Sequence, residues 1–324
     1  MSMGDPAGVG PSITVQAWRA LRDDATLAFY AIGAPELYEA GCPIQVISDP
    51  SEALSVFSNA LPVLPVGPVP AIQPGEPDAG TAPAIIRAIE MGVRHCLNRQ
   101  AAGLVTNPIN KALLYSAGFR HPGHTEFIAD LCSTEDGAPV RPVMLLTGGG
   151  LRVALATIHQ SLVTVPGSLT TTGLIELGEI VYSALKIDFG IAAPRIAFTG
   201  LNPHAGEGGA LGREEIEIIN PAAEVLRSRE IDISDARPAD TVFAEALSGR
   251  FDAVIAMTHD QGLIPVKTLD MWGGVNMTLG LPIVRTSPDH GTGYDAAAAG
   301  TARPDSLIAA IRAAAFVARN RQTA

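Results

Sequence analysis

The recurrence of short apolar runs narrows the fold of this chain more than any other feature. Such runs fall at 27–32, 103–106, 143–146, 153–157, 195–199 and 253–257, separated by longer amphipathic stretches. Short apolar runs bounded by turn residues read as buried strands. The stretches Pro11–Leu21, Ala82–Leu97, Thr171–Phe189, Arg213–Arg229, Asp240–Ser248 and Asp305–Ala318 read as helices, several opened by Asp, Thr or Pro. Strand alternating with helix predicts an α/β fold with a largely parallel sheet. Leu61–Ala79, dense in proline and glycine, reads instead as an irregular connection.

At 324 residues the chain outgrows one hydrophobic core, so two lobes enclosing a cleft, or one elaborate domain, are expected. A hydrophobic share of 47% against 17% charged residues rules out wholesale disorder. The net charge of -11, with no basic run to offset it, excludes broad contact with nucleic acid, whose phosphates would be repelled. No apolar run approaches the ~18 residues of a membrane span, and the first residues lack the basic and apolar regions of a leader. Cys42, Cys96 and Cys132 are widely spaced without a C-x-x-C pair, which suits a reducing compartment. A cytoplasmic protein without membrane contacts is expected.

Three of the seven histidines, His159, His204 and His259, follow directly on a predicted strand or its exit loop. Ligands in open α/β sheets gather at the carboxyl ends of strands, so the three can converge although distant in sequence. One histidine in such a place is most often structural; three together favour a divalent-metal site with positions left open for substrate. A second group suits an anion: His124 and Thr125 in GHTE, Lys267, Asn276 and Arg285. Arginine grips phosphate with two parallel hydrogen bonds, lysine adds a point charge, and Asn and Thr add neutral donors. The glycine-rich turn GDPAGVGP leads into a helix and presents backbone N–H groups, yet neither a dinucleotide fingerprint nor a Walker loop is present. The polar, glycine-containing loop Thr286–Asp295, which includes Asp289, His290, Gly291 and Thr292, reads either as a plain turn or as a loop that can wrap an adenosine. Gly206-Glu207-Gly208-Gly209 ahead of Glu214-Glu215 reads as a flexible loop before a helix start whose carboxylates favour the positive end of the helix dipole.

The segments GDPAGVGPSI, TNPINK, HPGHTE, GLNPHAGEGG, GREE, PADTVF, HDQGLIPVK, GVNMTLGLP and RTSPDHGT together resemble the 4-hydroxythreonine-4-phosphate dehydrogenase family over nearly the whole chain. The resemblance implies a fold similar to isocitrate and isopropylmalate dehydrogenases: two α/β/α lobes with a cleft, the first of residues 1–120 and 285–324 on the NAD side, the second of 121–284 with metal, substrate and dimer interface. It implies that His159, His204 and His259 bind a divalent metal (zinc, magnesium, cobalt or manganese) shared across a homodimer. His124, Thr125, Lys267, Asn276 and Arg285 are then expected to hold a small phosphorylated hydroxy amino acid, and Asp289, His290, Gly291 and Thr292 to hold NAD, or NADP. The implied reaction oxidises the C3 hydroxyl of 4-phosphooxy-L-threonine and ends in 3-amino-2-oxopropyl phosphate after decarboxylation, a step in making pyridoxal phosphate. Asp240, Lys267 or a chain of waters would accept the proton. A related activity on 4-phospho-D-threonate or D-erythronate shares these residues, and a metal-dependent lyase or hydrolase without NAD is the alternative of a different class. The chain departs from the family pattern at Thr258, where tyrosine is usual, at Gln160-Ser161 after His159, and at Gly293 with Ala296–Ala299 in the cofactor loop. Only Met1-Ser2-Met3 precede GDPAG, where similar proteins carry a longer first strand.

Overall fold

The computed structural model describes residues 1–121, 123–133 and 140–323; Pro122 of the HPGHTE segment lies outside them. The chain forms two compact units, Met1–Pro142 with Leu281–Ala318, and Val143–Gly280 with Arg319–Ala324. These limits differ from the expected 120 and 285. Helix His124–Cys132 belongs to the first unit because it buries Phe127, Ile128, Ala129 and Cys132 in that unit's core. The strands are β1 (Ala31–Gly33), β2 (Ile44–Val46), β3 (Leu61–Pro65), β4 (Leu104–Val105), β5 (Val143–Gly148), β6 (Leu151–Leu155), β7 (Arg195–Phe198), β8 (Asp232–Ile233), β9 (Ala253–Ala256), β10 (Val275–Leu279) and β11 (Arg285–Pro288).

In the first unit β1, β3 and β2 pair in parallel, in that order. Ser2 forms parallel bridges to both Ile32 and Thr106, so the buried Met1–Met3 segment joins this ribbon to β4, which pairs in parallel with β11. Helix Ala82–Leu97 buries Ile85, Ala88, Ile89 and Val93 against Ile32 and Leu104. It approaches closely at Gly92, where a Cβ would stand 2.6 Å from the Leu104 side chain. The strand β3 corrects the expectation of an irregular connection, since Leu61, Val63 and Leu64 are core residues. Its prolines are tolerated by register. Leu61 and Val63 bond on the β2 side, so Pro62 faces β1, one residue ahead of the first β1 partner pair, Ala31↔Val63. Pro65 lies beyond the last β2 pair, Val46↔Val63. Neither missing N–H is needed by a neighbour.

In the second unit β10, β5 and β6 are antiparallel, and β6, β9, β7 and β8 continue the sheet in parallel. The sheet is therefore parallel in one half only. Its core includes Leu146, Val153, Leu155, Ala197, Val254 and Val266. The buried Asp188 carboxylate takes two hydrogen bonds from Arg321, at 2.6 and 3.0 Å, which fasten the C-terminal segment to this unit. The helix expected over Arg213–Arg229 is two pieces, a π-turn at Glu215–Ile219 and an α-helix at Asn220–Ser228. Pro221 has no N–H to give the Glu217 carbonyl, and the wider turn accommodates the gap. Helix His259–Leu269, with Pro265 inside it, was not expected. Among the described residues no helix is long and apolar enough to cross a membrane.

Candidate functional site

Three neighbouring parallel strands of the second unit, β6, β9 and β7, lead into His159, His259 and His204. Threonines and one glutamine tie their exits together. The Thr157 hydroxyl donates to the Met257 carbonyl at 2.7 Å, and Met257 N–H donates to the Thr199 hydroxyl at 3.0 Å. Gln261 accepts from Thr258 N–H at 3.1 Å and donates to the Gly200 carbonyl at 3.0 Å. Thr258 and Gln261 form a reciprocal capping box, which fixes the start of helix His259–Leu269 and with it His259. Thr258, a departure from the family pattern, therefore serves as the helix cap.

The His159 and His259 ring centroids stand 5.6 Å apart. A cavity of about 360 Å³ opens beside them, lined by Thr157, Gln160, Leu162, Val165 and Thr258 among others. His259 Nδ1 lies 2.8 Å from Asp260 Oδ1, and His204 Nδ1 lies 2.6 Å from Glu207 Oε1. A carboxylate on Nδ1 leaves Nε2 of the same ring as the outward donor atom. The Glu207 hydrogen bond raises the His204 pKa above its ordinary value, with a smaller contribution from the exposed Asp240. The single chain does not gather the three histidines into one ligand set: among the described residues no group of three or more His, Cys, Asp or Glu side chains is arranged to hold a metal ion. His159 and His259 stand together, while the backbone of the next loop turns His204 towards Glu207.

That loop is unusual. His204, Ala205, Gly206, Glu207 and Gly208 all have positive φ, at 52°, 53°, 79°, 43° and 65°. Left-handed conformation costs a residue with a Cβ roughly 1–2 kcal/mol, so three such residues in one turn must be held there by their surroundings. The segment is a strained turn, where the sequence suggested flexibility; the density of glycine was the available signal.

In the first unit Arg285, at the start of β11, is only 4% exposed, and its Nη2 donates to the Thr106 hydroxyl at 2.8 Å. Burial pulls its guanidinium down to about 10, while Glu126 opposes the shift. His124 and Thr125 open helix His124–Cys132, whose N-terminal turn presents free N–H groups. His124 Nε2 is shut off from solvent and has no hydrogen-bond partner. Burial, with Arg285 and then Lys111 nearby, holds this imidazole well below its usual pKa, so it is neutral at pH 7. Lys111 of TNPINK was not among the expected donors. A neutral imidazole, a buried guanidinium and a helix N-terminus are each groups suited to an anion.

Lys267, in the last turn of its helix, and Asn276, on β10 with its Oδ1 buried and unpartnered, belong to the second unit. The expected substrate donors are thus divided between the units. The loop Asp289–Thr292 leaves the carboxyl end of β11; Asp289 N–H donates to Ser306, and the Thr292 carbonyl accepts from Val9 N–H at 2.8 Å. His290 and Gly291 are exposed. The Tyr294 hydroxyl donates to Asp5 Oδ2 at 2.5 Å and accepts from Asn110 Nδ2 at 3.0 Å, joining the end of this loop to the GDPAG turn. In the sequence Tyr294 and Asp5 were read only as members of these two loops, without a role of their own.

The fold and these residues define an α/β protein with imidazoles at adjacent strand ends in one unit and a buried cationic cradle in the other, the equipment of an enzyme that acts on a small anion. The chain belongs to the family described as pyridoxal phosphate biosynthetic protein PdxA, whose model matches residues 21–314. It is 54% identical over 325 residues to the 4-hydroxythreonine-4-phosphate dehydrogenase of Caulobacter vibrioides, covering 99% of this chain and 97% of that one. It is 50% identical to the protein of the same name from Maricaulis maris, covering 99% and 97%. The crystal structure of a 4-hydroxythreonine-4-phosphate dehydrogenase from Burkholderia phymatum matches with a TM-score of 0.83 at 34% identity, covering 98% and 96%.

Proposed function

We propose that the chain is a 4-hydroxythreonine-4-phosphate dehydrogenase of pyridoxal phosphate biosynthesis that works in the cytoplasm with NAD. What carries the reading is the 54% identity to a relative of that name across 99% of the chain. Its reaction takes hydride from C3 of 4-phosphooxy-L-threonine to NAD and a proton from the C3 hydroxyl. The resulting β-keto acid loses carbon dioxide, and 3-amino-2-oxopropyl phosphate remains once a proton is taken up.

In this reading Arg285, His124 and Thr125 grip the phosphate. The neutral His124 can offer it an N–H without adding charge. Lys267 and Asn276 orient the remainder of the substrate, and such orientation shortens the search for the reactive geometry. The exposed loop Asp289–Thr292, at the carboxyl end of a parallel strand, suits NAD as hydride acceptor. Asp240, Lys267 or water accepts the hydroxyl proton.

The residues present fit a divalent cation. Two imidazoles each bound to one cation at ~2.1 Å place their ring centres roughly 5–6 Å apart when the angle is near tetrahedral, and His159 and His259 are 5.6 Å apart. His204 is the third donor, and its carboxylate partner is of the kind that orients metal-bound histidines. A divalent cation there, zinc, magnesium, cobalt or manganese, supplies Lewis-acid stabilisation of negative charge on the substrate oxygen. We further propose a homodimer that shares this metal site. Leu162 and Val163, 71% and 84% exposed, follow closely on His159, and Met271 and Trp272 expose further apolar surface in the same unit. A second copy would cover them.

The test is NADH absorbance on mixing the protein with NAD, a divalent metal and 4-phosphooxy-L-threonine, with 4-phospho-D-threonate in parallel. Turnover of the first compound is expected. Turnover of the second alone would reassign the substrate, and silence with both would sink the dehydrogenase reading.

A further inference from the structure

Glu215 is a carboxylate only 2% exposed, beside the loop that carries His204. Its Oε1 accepts from the backbone N–H groups of Leu201 and Asn202, at 2.9 and 2.8 Å, and its Oε2 accepts from Asn202 Nδ2 at 3.1 Å. Gly206 leaves room for it: a Cβ there would stand 2.6 Å from Glu215 Oε2, and one on Gly200 would stand 3.2 Å from Oε1. The hydrogen bonds fix the chain just ahead of His204, and the carboxylate packs closely against Gly206 just after it. Glu214 takes a second bond from Asn202 Nδ2, at 2.7 Å. The π-turn that begins at Glu215 presents the side chain inwards.

A buried carboxylate is costly unless hydrogen bonds satisfy it, and a left-handed turn through His204, Ala205 and Glu207 is costly unless something holds it. Each offsets the other here. We infer that Glu215 is a positioning residue whose buried carboxylate holds the left-handed turn at 204–208 and so presets the direction of His204. The inference rests on the proposed role of His204 as a metal ligand. The glycines of GLNPHAGEGG and the second glutamate of GREE then form one device: the glycines make space, and the carboxylate closes the turn.

The test compares wild type with Glu215→Gln, Glu215→Ala and His204→Ala by two measurements on the full chain. The first is Zn²⁺ affinity by competition with a chelator. The second is amide hydrogen exchange across 201–209 in metal-free protein, with the global unfolding midpoint measured alongside. Glu215→Gln keeps the acceptor at Oε1 but turns an NH₂ group on the Asn202 amide. It should weaken Zn²⁺ binding about tenfold, within the 10–100-fold range typical when a residue supporting a ligand is lost, and speed exchange at 201–209 while distant amides stay protected. Glu215→Ala should do more. If it fails to fold, the Gln variant still decides. Unchanged exchange at 201–209 in Glu215→Gln overturns the inference. Unchanged Zn²⁺ affinity in His204→Ala instead overturns the metal reading, and the metal-free exchange data then decide by themselves whether Glu215 holds the turn.

Discussion

In the second unit the candidate ligands face water: the His204 side chain is 64% exposed and that of His259 31%. In the first unit Arg285 is 4% exposed, and His124 Nε2 is closed off altogether. The strand ends that carry these imidazoles are tied by neutral threonines and a glutamine, and carboxylates on Nδ1 of His204 and His259 leave Nε2 of those two rings outward. The buried guanidinium and imidazole already bear the cost of desolvation, which an incoming anion relieves. One region is organised by its backbone and the other by its electrostatics. Substitutions should separate the two.

The largest effect is expected from His204→Ala, which removes a donor atom without touching the core. Zn²⁺ binding should fall by at least about a hundredfold and turnover should be lost, while the unfolding midpoint stays near wild type because the side chain is exposed. Full turnover of this variant in metal-stripped buffer would break the comparison, since the strand-end histidines would then have no chemical task.

Arg285→Ala should behave differently. Loss of the charge-assisted contact should raise KM for the phosphorylated substrate about tenfold or more, with a smaller change in kcat. Stability should change as well, because the variant leaves a cavity and deprives the buried Thr106 hydroxyl of its donor at 2.8 Å. An unchanged KM would remove Arg285 from the phosphate site.

The same contrast governs what the sequence disclosed. His159, His204 and His259 stood out in the sequence because each follows an apolar run or its exit loop. Their placement on three adjacent strands did not, since the order β6, β9, β7 is not the order in the chain. Glu215 read as a helix-start carboxylate favoured by the dipole, and only the fold reveals the amide groups that surround it. Arg285 stood out in the sequence as a charged donor, but its burial is tied to pairing with β4, far away in sequence. The strand β3 was hidden by prolines whose harmlessness depends on register, a pairwise property that one segment does not carry.

Tyr294→Phe examines the join between the proposed cofactor loop and the GDPAG turn. Asp5, 1% exposed, accepts from Ala7 N–H at 3.0 Å and from the Tyr294 hydroxyl at 2.5 Å. Burial, and then the Asp5 bond, push the phenol up to about 12, so it remains a donor at every working pH. Its removal leaves a buried carboxylate oxygen short of a partner, at a cost of about 1–3 kcal/mol. The unfolding midpoint should drop and KM for NAD should rise, with KM for the phosphorylated substrate little changed. Equal rises in both would show that the loop serves the anion cradle too.

The smallest effect, and the one that isolates the electrostatics of the first unit, is the acid response of His124. Burial and the cations Arg285 and Lys111 lower its folded pKa, so below pH 6.5 the unfolded chain binds a proton that the folded chain resists. The contribution of this group to stability is therefore complete above pH 6.5 and is lost as pH falls from there towards the folded pKa, by at most about 1.4 kcal/mol per pH unit. In phosphate-free buffer the urea midpoint should fall between pH 7.5 and 5.5, and it should fall less in His124→Asn, which has no imidazole to protonate. Added inorganic phosphate should narrow the difference, because an anion beside Arg285 and Lys111 offsets the charges that oppose protonation. Identical acid responses in wild type and variant would mean that His124 is reached by water, and the contrast between a buried cradle and exposed imidazoles would then rest on Arg285 alone.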